Sequence, residues 1–291
     1  MALGKAEAVA HGAATIVNAI ATGEGAAFGV NLWTKAEVKL TDEPRVIKGK
    51  IISDPRESPL LIEKTVTRVL SRFNAENKFG AEVKTQSNIP IARGLKSSSV
   101  AANAVALATV GALGKSVEDL EVINLGVDAA FDAKVTVTGA FDDACASYFG
   151  GVVVTDNMKR KMILRTSLPE NLSVLFHVPL KKAYTGDSNV ERLKTVASLV
   201  KIAYKEALSG NFWAALSLNG IIYSSALGYD VSVALNALNA GAVAAGLCGK
   251  GPAVTAVVSA DKMDQVRAAL QRFEGRIIHA ELNCEKAEVV T

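Results

Sequence analysis

The order of hydrophobic and polar positions along the chain predicts a mixture of strands and helices. Around residues 36–40 apolar and polar residues alternate, which is typical of a half-buried strand within 26–40. Residues 59–73 carry apolar side chains at helical spacing, and the Ala/Val-rich run 100–113 is followed by Gly114, a residue type that commonly ends helices. The same reasoning predicts strands at 45–52, 80–85, 150–155, 173–178, 253–258 and 277–281, and helices at 116–131, 190–208, from 213 onward and at 262–273.

Strands and helices in this mixed order predict an α+β fold. The polar and basic segment 156–166 is predicted to form a hairpin or a domain junction. The apolar run 100–113 is shorter than the roughly 20 residues that span a bilayer. We therefore interpret this run as a buried helix and not as a membrane segment.

Composition narrows the class of protein further. The chain has 291 residues, of which 49% are hydrophobic and 21% charged, so it is long and apolar enough for one large or two medium domains. A net charge of +3 and 5% aromatic residues argue against a nucleic-acid partner. Cys145, Cys248 and Cys284 lie far apart, which favours reduced thiols over a disulfide framework or a zinc site. With no signal peptide visible, a cytoplasmic protein is expected.

A loop rich in hydroxyl groups precedes the predicted Ala/Val helix. Pro90 and Gly94 mark the loop, Lys96 adds a positive charge, and serines 97–99 stand at the helix start. Free N–H groups and the positive end of the helix dipole make such a start favourable for anions. One serine would suffice to cap the helix. Three serines after Lys and Gly therefore favour a phosphate site over ordinary capping.

Acidic residues in the middle of the chain provide candidates for proton transfer or metal binding. Asp142 and Asp143 lie in the otherwise apolar segment 138–151, where a carboxylate is costly unless it is paired or functional. The alternative for this pair is a solvated turn. Asp128 and Asp132 are four residues apart on one face of the predicted helix 116–131 and are candidate metal ligands, or simply part of a solvated face.

A glycine-rich turn precedes the predicted strand at 253–258. Gly246, Gly249 and Gly251 fall within a few residues of each other, whereas an ordinary connection from helix to strand needs a single glycine. The backbone of this turn is predicted to pack against the phosphate-binding loop.

Together these segments resemble the GHMP kinase superfamily. The family's second motif, P-x-x-x-G-L-x-S-S-[AS], is matched by residues 90–99, and its third, G-x-G-P-[AT], by residues 249–253. Asp143 and Gly151 match an acid followed eight residues later by the second glycine of a pair. Residues 12–23, and Lys96 where the family commonly has a glycine, resemble the archaeal-type shikimate kinase branch.

The resemblance implies a GHMP kinase fold, with an N-terminal domain like domain 2 of ribosomal protein S5 (residues 1–158) and a ferredoxin-like C-terminal domain (residues 159–291). It implies transfer of phosphate from ATP, with Mg²⁺, to the 3-hydroxyl of shikimate. Lys96 would stabilise the transferred phosphoryl group and Asp143 would act as the base, with Asp142 as the alternative base. The residues implied in nucleotide binding are Pro90, Ile91, Ala92, Arg93, Gly94, Leu95, Lys96, Ser97, Ser98, Ser99, Gly249 and Gly251.

The resemblance also implies metal and acceptor ligands. Ser98 and Asp132 would bind Mg²⁺, with Asp128 as the alternative to Asp132. Asp143 would contact the acceptor, and Asn18 is a candidate partner for one of its hydroxyl groups, although not one that the resemblance implies. Many relatives have a Lys and a Glu-His pair in the first motif, but residues 13–20 contain neither, so other contacts at this end cannot be transferred. Because shikimate is anionic, a cation should bind its carboxylate. The candidates considered for this role are Arg93, Lys181 and Lys182.

Two alternatives remain at this point. The first is a kinase of the same architecture that acts on homoserine or on an isoprenoid alcohol such as mevalonate. The second is a non-catalytic nucleotide- or RNA-binding module, which the near-neutral charge opposes. The expected partners are ATP and a small acceptor, without nucleic acid or membrane, and the expected assembly is a monomer or homodimer.

Overall fold

A long antiparallel hairpin made by the first two strands organises the fold. The computed structural model describes residues 3–167, 171–180 and 190–291. Strand β1 (Lys5–Val17) pairs with β2 (Glu24–Thr41) along almost its whole length, with a register shift after His11. In the first part of β1 every second residue is small and buried, which lets helices pack closely on that face of the strand.

This hairpin is the centre of a seven-stranded sheet. The strands that join it are β3 (Ile47–Ile51), β4 (Gly80–Ser87), β5 (Val152–Asp156), β6 (Lys161–Thr166) and, from the chain end, β11 (Glu288–Val289). The order is β11-β1-β2-β4-β3, and β5 pairs with β2 and β6. Only the β3–β4 pair is parallel among the described strands.

A second, four-stranded antiparallel sheet is formed by the later part of the chain. Its strands are β7 (Leu172–Val178), β8 (Ala244–Leu247), β9 (Val254–Ser259) and β10 (Arg276–Glu281). Their order is β10-β7-β9-β8. Buried residues of both sheets belong to one continuous hydrophobic core, so the first sheet and the helices of the second pack directly on each other.

Helices cover both sheets. They are α1 (Leu60–Arg72), α2 (Ser97–Ala112), α3 (Asp119–Asp132), α4 (Phe141–Phe149), α5 (Val190–Lys194), α6 (Ala197–Leu208), α7 (Phe212–Leu227), α8 (Ser232–Asn239) and α9 (Met263–Leu270). None of the helices in the described ranges is long and apolar enough to cross a membrane.

Helix α2 lies at the centre of the first layer of helices. It packs on β1, β2, α1, α3 and α4, and its Ala and Val side chains are buried around most of its circumference. Such an all-apolar helix is stable only when neighbours surround it. Asn103 in its middle donates hydrogen bonds to the Ala144 carbonyl (2.8 Å) and to the Ser147 hydroxyl (3.2 Å). These bonds tie α2 to α4 and set the relative position of the two helix starts.

The α+β class is confirmed, and most elements lie where the sequence predicts them. The segment 156–166 forms part of the β5–β6 hairpin of the first sheet. The predicted helix 190–208 is two helices, α5 and α6. The elements β1, α4, β8 and β11 have no counterpart in the prediction.

Candidate active site

A polar cleft opens where two helix starts and two loops meet. Its lining comes from the segments 18–20, 92–99, 135–143 and 249–251. Helices α2 and α4 both begin at this cleft. The structure therefore brings together the serine-rich segment, the acidic pair and the glycine-rich turn, three segments that lie far apart in the sequence.

The two helices begin without the usual caps. The N-cap of α2 is Lys96 and that of α4 is Ala140, and both have left-handed backbone conformations (φ 62° and 48°). In neither helix does the N-cap side chain accept a hydrogen bond from the first turn. The serines 97–99 instead lie inside the first turn of α2 and line the cleft. Ordinary capping by serine therefore does not explain this segment.

Lys96 and Asp143 form a buried ion pair across the cleft. The Lys96 Nζ lies 2.9 Å from Asp143 Oδ2, and the two side chains are only 11% and 7% exposed. Burial lowers the pKa of Lys96, but Asp143, Cys248 and Asp142 raise it, and the result lies above the ordinary value. The ammonium is therefore charged at neutral pH. A pair so shielded from water interacts more strongly than a surface salt bridge.

Asp143 retains one oxygen without a partner. Its Oδ1 is buried and has no hydrogen-bond partner within the described part of the chain. A buried carboxylate oxygen left without a donor is costly. At the start of α4, and on the wall of the cleft, this oxygen is suited to accept a hydrogen bond from a bound hydroxyl group.

Asp142 is held differently from its neighbour. Asn157 donates from Nδ2 to Asp142 Oδ1 (2.7 Å), and its own Oδ1 accepts from the Asp142 amide (3.2 Å) and from the Thr155 hydroxyl (2.7 Å). Burial, followed by the charge of Asp143, raises the pKa of Asp142 to about 7, although Lys96 and Asn157 act to lower it. Asp142 therefore titrates near neutral pH, next to the ion pair of Lys96 and Asp143.

The glycine-rich turn packs directly on the loop that precedes α2. A Cβ on Gly94 would lie 2.4 Å from the Cys248 carbonyl oxygen and 2.9 Å from that of Gly251, and Gly94 has a left-handed backbone (φ 84°). The Ala253 amide also donates to the Arg93 carbonyl (3.2 Å). The predicted contact between these loops is thus present, and Gly94 is required for it.

Asn18 directly follows β1 and lines the cleft. Its Oδ1 accepts from the Ile20 amide (2.9 Å), its own amide donates to Asn219 Oδ1 (3.1 Å), and its carbonyl accepts from the Tyr223 hydroxyl (2.9 Å). These bonds connect β1 to α7 and hold Asn18 against the cleft.

The predicted carboxylate ligands of the metal lie outside the cleft. Asp132 accepts two hydrogen bonds from Arg68, at 2.6 and 2.7 Å, and Asp128 pairs with Arg160 at 2.6 Å. Neither of them lines the cleft, whereas Ser98 does. Both oxygens of Asp132 are occupied, because α1 packs against α3 and brings Arg68 to it. In the described part of the chain, no group of three or more His, Cys, Asp or Glu side chains is arranged to hold a metal ion.

Among the residues predicted to bind the nucleotide, Ile91, Arg93 and Leu95 do not line the cleft. Leu95 is buried in the core, and Ile91 lines a second cavity. Arg93 donates to the Pro179 carbonyl (2.6 Å) and does not line the cleft. Lys181 and Lys182 lie outside the described residues.

The second cavity, of about 340 Å³, adjoins the cleft and is more apolar. Ala92, Ser97, Ser98 and Val135 belong to the lining of both. Its further apolar lining is Ile51, Leu61, Ile62, Ile91 and Ala101. A ligand with an apolar ring and an anionic tail could therefore occupy both spaces at once.

Two residues of the site have no counterpart in the sequence analysis. Asn157 follows β5, and only its contact with Asp142 reveals its role. Lys250 lines the cleft between two glycines, and a charged residue inside a glycine-rich turn is the signal that could have indicated it.

Comparison with known proteins shows which family and which fold this chain resembles. The family described as "GHMP kinases N terminal domain" matches residues 61–151. A shikimate kinase of Methanosarcina mazei is 47% identical over 278 residues, which cover 95% of this chain and 94% of that protein. A shikimate kinase of Methanosarcina acetivorans is 46% identical, with 95% and 93% covered. The crystal structure of homoserine kinase from Cytophaga hutchinsonii superposes with a TM-score of 0.76 at 19% identity, with 98% of this chain and 97% of that chain covered.

Proposed function

The chain belongs to the shikimate kinase family of the GHMP kinases and has their α+β fold, and on this premise we propose that its cleft transfers the γ-phosphoryl group of ATP to the 3-hydroxyl of shikimate. The observation that carries the proposal is the state of Asp143. One of its oxygens is paired with Lys96 and the other is buried without a donor. An acceptor hydroxyl would supply that missing donor.

The reaction follows from this arrangement. The acceptor hydroxyl donates its hydrogen bond to Asp143 Oδ1, and its oxygen forms a bond to the γ-phosphorus. The bond between that phosphorus and the bridging oxygen of ADP breaks, and the proton passes to Asp143. Lys96 orients the Asp143 carboxylate before transfer through their ion pair, and its positive charge stabilises the transferred group.

The nucleotide would occupy both cavities. The uncapped first turn of α2, with serines 97–99, suits the triphosphate, because its N–H groups and dipole favour anions. The second cavity of about 340 Å³ has the size and apolar lining of a small-molecule site and suits the base. Of the shared residues, Ala92, Ser97 and Ser98 would then lie beside the phosphates.

Mg²⁺ fits this site through Ser98 rather than through Asp132. Ser98 is a hydroxyl residue on the wall where the triphosphate would lie, whereas Asp132 is bound by Arg68. The metal, when bound, neutralises charge on the phosphates. We propose Ser98 as the protein ligand, with the phosphate oxygens and water completing the coordination that Mg²⁺ prefers.

The activity is tested by ADP release in the presence of shikimate, homoserine or mevalonate. We expect turnover with shikimate, and we expect Asp143→Asn to lower it by at least about 100-fold while nucleotide binding survives. Asp128→Asn is the matched control, because it removes a carboxylate that lies outside the cleft. Near-wild-type turnover of Asp143→Asn would remove Asp143 from the mechanism, and turnover with homoserine or mevalonate alone would refute the substrate.

We further propose that the enzyme is cytoplasmic, acts as a monomer or homodimer, and divides into domains at about residue 158. The three cysteines are free thiols, as is usual in a reducing compartment. The four strands of the second sheet lie within residues 172–281, whereas β6 and the terminal β11, which also follow residue 158, belong to the first sheet. Light scattering after size exclusion would determine the assembly, and limited proteolysis would locate the domain junction.

A further inference from the structure

Lys250 occupies an unusual place in the glycine-rich turn. It stands between Gly249 and Gly251, both with left-handed backbones (φ 60° and 74°), and it is half-buried on the wall of the cleft. The turn is held at both ends, because the Gly249 amide donates to the Thr15 hydroxyl (3.0 Å) and the Cys248 amide to the Ala253 carbonyl (2.8 Å). Lys250 thus lies on an anchored turn and is one of the residues that line the cleft.

The turn also contacts the catalytic ion pair. A Cβ on Gly249 would lie 2.8 Å from the Lys96 Nζ, so the backbone next to Lys250 lies against the Lys96 ammonium. Lys250 therefore belongs to the same small space as Lys96 and Asp143. Within the lining that the structure describes, Lys96 and Lys250 are the positively charged residues.

The charged groups of the cleft affect how an acidic acceptor can bind. Asp142 and Asp143 place two carboxyl groups on its wall, and the Lys96 ammonium is paired with Asp143. An acceptor that carries its own carboxylate would be repelled here unless a second cation faced it. Arg93 does not line the cleft.

We infer that Lys250 binds the carboxylate of the acceptor and thereby makes the enzyme specific for a hydroxylated ring acid. This inference rests on the proposed function, since it needs an anionic acceptor in the cleft. Asp143 would then hold the reacting hydroxyl and Lys250 the charged end of the same molecule. Two such contacts orient an acceptor more strictly than either does alone.

The experiment compares shikimate with its uncharged methyl ester. For the wild type we expect kcat/KM to be about 10- to 100-fold higher for the acid, the range expected of a charge-assisted hydrogen bond. Lys250→Met should abolish this preference by raising KM for the acid, with KM for ATP unchanged within about twofold. Lys250→Arg should retain most of the preference. Lys115→Met, after α2 and outside the cleft, is the matched control and should behave as wild type.

The possible results separate the two proposals. A wild type that releases no ADP with shikimate refutes the proposed function itself. A wild type that phosphorylates shikimate while Lys250→Met still prefers the acid overturns the inference alone. The inference is also overturned if Arg93→Met, Lys181→Met or Lys182→Met loses the preference for the acid while Lys250→Met keeps it. A Lys250→Met variant in which only KM for ATP rises overturns it as well. If Lys250→Met does not fold, Lys250→Gln provides the same comparison.

Discussion

Asp142 makes the stability of this protein depend on pH in an unusual direction. Its carboxyl group is buried, is bonded to Asn157 and lies beside the charge of Asp143. Replacement by Asn keeps the size and the oxygen that accepts from Asn157 but removes the titration. We therefore expect Asp142→Asn to change how stability varies with pH.

The sign follows from proton binding. The pKa of Asp142 is raised from 3.8 to about 7, so between these values the folded protein holds a proton that the unfolded chain has released. The free energy of unfolding therefore falls as pH rises through this window and levels off above pH 7. At about 1.36 kcal/mol for each pH unit, the full loss is on the order of 4 kcal/mol, of which roughly 3 kcal/mol falls between pH 5 and pH 8.

Urea unfolding of the wild type and Asp142→Asn at pH 5, 6, 7 and 8 measures this difference. We expect the variant to gain roughly 3 kcal/mol relative to the wild type from pH 5 to pH 8. Asn157→Leu removes the hydrogen bond that lowers the pKa of Asp142, so it should move the upper end of the window to higher pH. Parallel stability curves for the wild type and Asp142→Asn would refute the reasoning, since Asp142 would then be ionised throughout.

Three further predictions test the packing and the ligands of the site. Gly94→Ala places a Cβ 2.4 Å from the Cys248 carbonyl oxygen, on a residue with a left-handed backbone. We therefore expect KM for ATP to rise about 10-fold in steady-state assays. An unchanged KM for ATP would contradict this. Ser98→Ala should raise the Mg²⁺ concentration needed for half-maximal activity by about 10-fold, whereas Asp132→Asn should leave it within about twofold; the reverse order would reassign the ligand. In α7, Gly220→Ala would place a Cβ 2.3 Å from the α-carbon of Gly246 on β8. We expect this variant to lower the free energy of unfolding, measured in urea, by about 1–3 kcal/mol. An unchanged urea midpoint would contradict the close approach of α7 and β8.

Sequence patterns predicted the helices better than the first strand. Helix α1 shows a clear apolar stripe, and α2 is apolar throughout, so both follow from composition and spacing. Strand β1 buries Ala6, Ala8 and Ala10 on one face, and alanine has little preference for strands. Its alternation therefore carries little hydrophobic signal. The strand exists because β2 pairs along it and α2 packs on it, and both are long-range contacts.

The same limit applies to the predicted site residues, of which the structure brings some to the cleft and places others outside it. The serine-rich and acidic segments were predicted as chemically active, and the structure brings both to the cleft. The family resemblance implied that Asp132 binds the metal, but the local sequence does not show that Arg68 on α1 pairs with it. The Lys96–Asp143 pair joins residues 47 positions apart and depends on how α2 and α4 pack. Local patterns identify candidate groups, whereas their pairing requires the fold.

The backbone at the two helix starts gives an independent reason to place an anionic ligand in this cleft. A left-handed conformation costs a residue with a Cβ roughly 1–2 kcal/mol, and Lys96 and Ala140 both adopt it as N-caps. Neither supplies the side-chain hydrogen bond that normally stabilises a helix start. At α4 the carboxylates of Asp142 and Asp143 in the first turn offset part of this cost through the helix dipole. The first turn of α2 has no acidic residue, so a bound anion would supply the charge that this helix start favours, and phosphate suits it.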